Sequence, residues 1–211
     1  MYKRQSPSGA DYAAAIKPLV GDDPIVTLAG MAQFRGLKGV DGTDVPRTLL
    51  AGAKVLSDKS VPLPKDKFFR ESFDEHAGAS LLPGTPQREQ AYLAFKSLYA
   101  GTAAAKGLKY DEGDDLDSKT SQAAFDMATG GVAERAGARV IKPYNMNDDD
   151  FNKSVDMQIE GMAKNSKIPV SQLEDMPLSP VPGKEGSYYL MNAGRVQIDP
   201  DTKQPMMVIV K

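Results

Sequence analysis

The chain has 211 residues, of which 41% are hydrophobic and 26% charged, and its formal net charge is −2. That balance fits one or two folded globular domains and gives no general attraction to nucleic acid or to anionic membranes. Cysteine is absent, which excludes disulfides, thiolate metal sites and thiol catalysis and fits a reducing compartment.

The N-terminal third reads as three short helices. The first covers about Gly9 to Leu19 and breaks near Pro18. Asp23-Pro24 starts the second, with Asp as cap and Pro in the first turn, and Ile25, Leu28, Ala29, Ala32 and Leu37 share a face. Pro46 opens the third, where Leu49, Leu50, Ala53 and Leu56 recur at helical spacing. Val61-Pro62-Leu63-Pro64 is an extended spacer, because residues before proline avoid the α region. A helix over about Lys65 to His76 carries Phe68, Phe69 and Phe73. Leu82-Pro83-Gly84 turns the chain, and Thr85-Pro86 begins the longest helix, which runs to about Lys106 and stops at Gly107.

Asp111 to Asp117 is an acidic loop that caps a helix from Ser118 to about Gly130. Gly131 to Gly137 reads as a loop into a short strand over Ala138–Ile141. Asn147-Asp148-Asp149-Asp150 starts another helix, since anionic side chains favour the positive end of the helix dipole, and it runs to about Lys164. Pro177, Pro180 and Pro182 mark a boundary loop. Beyond it the alternation of Tyr189 and Met191, Val196 and Ile198, Met207 and Ile209 indicates a β-hairpin or a small three-stranded sheet. The expected fold is therefore mainly α, a multi-helix domain with a small C-terminal β-hairpin or three-stranded sheet. The expected organisation is short helices over 1–64, a helical core region over 65–176 and a β element over 177–211. With only 7% aromatics and no Trp, the core is expected to be thin and rich in Ala and Met. No stretch approaches the roughly 18 apolar residues of a membrane span, and Met1-Tyr2-Lys3-Arg4-Gln5 lacks the apolar run of a signal peptide.

The sharpest enzyme motif is Glu71-Ser72 followed by Gly78-Ala79-Ser80-Leu81-Leu82-Pro83-Gly84-Thr85. It resembles a compressed lytic transglycosylase signature, which would make Glu71 the acid that protonates a glycosidic oxygen from an apolar pocket beside Phe69 and Phe73. The spacing is too short, and the motifs that line a saccharide groove are missing downstream. Glu71 and Glu75 then read as a solvated helix face. His76, the single histidine, reads as a surface residue near a helix C-terminus, with no partner constellation for a metal. Asp111, Asp114, Asp115 and Asp117 lack the register of a calcium loop. Gly130-Gly131-Val132 does not follow the Gly-x-Gly-x-x-Gly order of dinucleotide folds. No catalytic residue beyond the weak candidate Glu71, no cofactor site and no metal site is assigned. Phe95, Leu98 and Thr102, on one face of the longest helix, are the candidate partner interface.

The order of segments carries a family resemblance. Asp23-Pro24 is followed by the runs Leu49 to Leu56, Ala91 to Ala100, Ala123 to Gly131 and Val140 to Met146, with Phe151 after them. The block from Thr129-Gly130-Gly131 to Pro143-Tyr144 is its most specific part. This series resembles a region of the internal virion, or ejection, proteins of tailed phages, outside their transglycosylase domain. The resemblance implies a non-enzymatic structural role in genome delivery, made in the host cytoplasm and carried in the virion. It implies assembly with copies of itself and with portal and tail proteins, transient contact with DNA or the host envelope, and no small-molecule substrate. The alternatives are a peptidoglycan-cleaving lytic transglycosylase using Glu71 and a capsid or tail assembly protein that is not ejected.

Overall fold

The computed structural model describes Phe34 and residues 36–39, 42–58, 60–81, 83–144, 146–181 and 184–210. The first expected helix and the body of the second lie outside the described residues, while Leu37, expected on the face of the second, is not helical and precedes the bridge between Lys38 and Asp44. The protein is mainly α, with small antiparallel sheets in its C-terminal part. It divides into two compact units. The first holds the described residues up to His76 together with Gly84–Ala128, and the second holds Ala77–Pro83 and the described residues from Thr129 onward.

Among its described residues, the first unit has four helices. Helix α1 spans Val45–Ser57 and starts where the Asp44 carboxylate accepts the Arg47 amide at 3.0 Å, with Pro46 in the first turn. Helix α2, Asp66–Ala77, follows the extended Pro62–Pro64 spacer. Helix α3, Pro86–Ala105, begins at Thr85, whose hydroxyl accepts the Arg88 amide at 3.3 Å. Helix α4, Ser118–Thr129, begins at Asp117, whose carboxylate accepts the Thr120 amide at 2.9 Å.

Helices α1 and α3 cross at backbone contact. Thr48 and Gly52 on α1 meet Ser97 and Gly101 on α3, each pair four residues apart and so on one face. A Cβ on Gly52 would lie 1.6 Å from the Ser97 carbonyl oxygen, and one on Gly101 would lie 2.3 Å from that of Thr48. The Ser97 hydroxyl is fully buried there and donates to the Leu49 carbonyl at 3.0 Å.

The buried residues of this unit include Ala53, Ala94, Ala100, Ala103, Ala124 and Ala128, in line with the expected Ala-rich helix contacts, and beside them lies a cluster of aromatic rings. Phe73 sits at its centre, with ring centroids 5.6 Å from Tyr92, 5.6 Å from Phe95 and 5.7 Å from Phe125, while Phe69 meets Tyr99 edge-on at 5.4 Å. The chain has few aromatics but gathers them here, and aromatic pairs add to area burial by about 0.5–1.5 kcal/mol each.

The second unit begins with a hairpin. Strand β1, Val132–Arg135, pairs antiparallel with β2, Ala138–Ile141. The segment expected as a loop before β2 is thus a strand. The turn between them holds Ala136 at φ 50° and Gly137 at φ 69°, the two positive angles of the tight hairpin turn. Ala at the first position hides that turn from the sequence. Helix α5, Asp148–Ser166, is capped by the Asn147 side chain, which accepts the Asp150 amide at 2.8 Å. A short helix α6, Val170–Glu174, leads into a four-stranded antiparallel sheet of β3 (Leu178–Pro180), β4 (Ser187–Asn192), β5 (Arg195–Val196) and β6 (Met207–Ile209).

Strand β4 is the hub of this sheet, pairing with β3, β5 and β6. The three-proline segment read as a boundary loop therefore contributes a strand. Pro180 ends it beside Tyr188, a position proline tolerates because β3 is an edge. Ala133, Val140, Phe151, Val155, Ile159, Leu173, Met176, Leu178, Tyr188, Leu190 and Val208 share one core. The boundary expected at Pro177 falls inside it. Tyr188, Leu190 and Val208 face that core, so Tyr189, Met191, Met207 and Ile209 lie on the other side of the sheet.

Substitution of the crossing glycines should separate from substitution of a solvent-facing one. Gly52→Ala and Gly101→Ala should each destabilise the first unit by about 1–3 kcal/mol or more through overpacking. Gly161, exposed inside α5 with open space around it, should gain about 0.5–1 kcal/mol as Ala. Urea unfolding of the three variants measures the contrast.

Candidate functional site

Helix α2 carries most of the chemistry-bearing side chains, and its periodicity sorts them. Phe69, Phe73 and Ala77 point into the core at 1% exposure or less. Glu71 and Glu75 lie on the exposed side. Glu71 therefore stands outside the apolar surroundings that a glycosidic acid needs, although Phe69 and Phe73 are its near neighbours in sequence.

On a flank of the same helix, Ser72 and His76 are four residues apart and reach α4 together. The Ser72 and Ser121 hydroxyls lie 2.5 Å apart, and His76 Nε2 lies 3.0 Å from Ser121 Oγ. The His76 ring also packs on Phe125, with centroids 5.4 Å apart. His76 is thus half-buried and tied to α4, which corrects its reading as a surface residue. A serine hydroxyl within reach of an imidazole is the first contact of a nucleophile and its base. Here the central oxygen belongs to Ser121, which is 1% exposed and already contacts Ser72, so the trio works as a polar bolt between helices. The i, i+4 spacing of Ser72 and His76 was visible in the sequence, but the partner on α4 was not.

A second network joins α2 to α3. Tyr92 donates to the Asp66 carboxylate at 2.6 Å, and Lys96 reaches the same oxygen at 2.5 Å. Arg70 grips Glu89 through two nitrogens, at 2.8 and 2.7 Å, and lies 3.7 Å over the Tyr92 ring. Partial burial pushes the Asp66 carboxyl up, but the hydrogen bonds from Lys96 and Tyr92 and the nearby cations outweigh it and hold Asp66 below its ordinary range. The Arg70 hydrogen bonds hold Glu89 below its own. Burial, then the bond to Asp66, pushes the Tyr92 phenol well above its usual value, so it stays a neutral donor.

At the far end of α3, the Tyr99 and Tyr110 hydroxyls lie 2.5 Å apart, and Tyr99 accepts the Asp117 amide at 2.8 Å. The acidic loop is thereby fastened to the core. Asp117 is held below its usual range by hydrogen bonds from the Thr120 hydroxyl and then its amide, the role of a helix cap. Among the described residues, no group of three acidic or histidine side chains is placed to hold a metal ion. No described helix is long and apolar enough to cross a membrane.

Phe95 and Leu98 are fully buried within the first unit. They are core residues, and the face expected to meet a partner is occupied by the protein's own side chains. Thr102 is half-buried, with its hydroxyl enclosed and without a hydrogen-bond partner. The block Thr129-Gly130-Gly131 to Pro143-Tyr144 proves to be one close backbone approach. Gly130 has φ 91°, and a Cβ there would lie 2.4 Å from the Lys142 carbonyl oxygen. Comparison of the chain with protein-family models, with curated proteins and with solved structures finds no match.

Two measurements check this site as a structural one. Phe95→Ala should cost the first unit about 3–5 kcal/mol, the loss expected of a large buried aromatic. Because Asp66 and Glu89 titrate below their unfolded values, they contribute stability above those values, and it is lost as pH falls through their lowered folded ones. Stability should therefore drop below about pH 4, where unperturbed carboxylates begin to take up protons. Asp66→Asn with Glu89→Gln should flatten that slope in chemical unfolding series run from pH 6 downward.

Proposed function

We propose that this chain is a non-enzymatic virion component of a tailed phage, of the internal ejection kind. In this reading it is made in the host cytoplasm and packaged in the particle. There it assembles with copies of itself and with portal and tail proteins to support genome delivery. The order of its segments resembles that family. The single structural observation in its favour is the use to which its polar side chains are put. Ser72, His76 and Ser121, and likewise Asp66, Tyr92 and Lys96, tie helices together. Glu71, the acid that sugar cleavage would require, is exposed to solvent. A carboxylate without surrounding groups to hold a sugar ring in a reactive conformation has little to work with.

Mass spectrometry of purified particles before and after triggered DNA release tests the proposal. The chain should be found in full particles and be depleted from emptied ones. Retention in both would favour an assembly protein that stays behind, and absence from both would overturn a virion role. Purified chain incubated with peptidoglycan should release no soluble sugar product. Release that disappears in Glu71→Gln would establish the transglycosylase reading instead.

A further inference from the structure

We draw no further inference here: the strongest candidate, the outward face of the four-stranded sheet with Tyr189, Met191, Met207 and Ile209, carries none, because nothing in the structure shows what covers it.

Discussion

The first unit depends on the distance between two helix backbones. Where α1 crosses α3, the Gly52 and Gly101 Cα atoms meet carbonyl oxygens of the opposite helix with no side chain between them. Helices pack more commonly at about 8–10 Å, with side chains interleaved. The close approach here brings Ser97 onto the Leu49 carbonyl and fixes α3 along its length. Every aromatic that α3 presents is positioned by that contact. Tyr92, Phe95 and Tyr99 can reach Phe73 and Phe69 on α2 only because α3 is held in this place and rotation.

Given that frame, polar groups decide which helices sit together. Large aromatic side chains fill space but allow several rotations of a helix with similar burial. A hydroxyl chain such as Ser72–Ser121–His76, or a phenol on a carboxylate such as Tyr92–Asp66, is satisfied in one register. The costs of an unmatched buried donor run to about 1–3 kcal/mol, so a slipped register would be penalised at several points at once. The Tyr99–Tyr110–Asp117 contact extends the same logic to a loop that carries little apolar surface of its own.

The legible part of this fold was the part written in local rules. Thr85, Asp117 and Asn147 each precede a helix in the structure and Pro46 sits in the first turn of another, because helix-start chemistry is readable one residue at a time. The ends of α3 and α4 followed from Gly107 and Gly130 for the same reason. Strand β1 was missed because its turn uses Ala136 where Asn or Asp would have announced it. Strand β3 was missed because three prolines outweighed three residues of pairing. The Phe95 and Leu98 face was identified as apolar, but periodicity marks a buried face without saying whether the partner is the same chain. Gly52 and Gly101 were visible as helix-weakening residues, and their role depends on the partner backbone 49 positions away in sequence. The Ser72, His76 and Ser121 group needed the same non-local knowledge.

The second unit solves the same problem without a close helix crossing. Its core gathers around β4, whose Tyr188 and Leu190 bury one face of the sheet against α5 residues Phe151, Val155 and Ile159. The Tyr188 hydroxyl then reaches back to the Ile141 carbonyl at 2.9 Å, joining the hairpin to the sheet. A strand with neighbours on both sides is hard to displace, because moving it breaks two ladders together. The outer strand β6 has one ladder, to β4, and its Ile209 exchanges two further hydrogen bonds with the Gln158 side chain of α5. The core contacts of this unit are thus concentrated in β4 and α5, and the edge strand is fastened to them by side-chain as well as backbone hydrogen bonds.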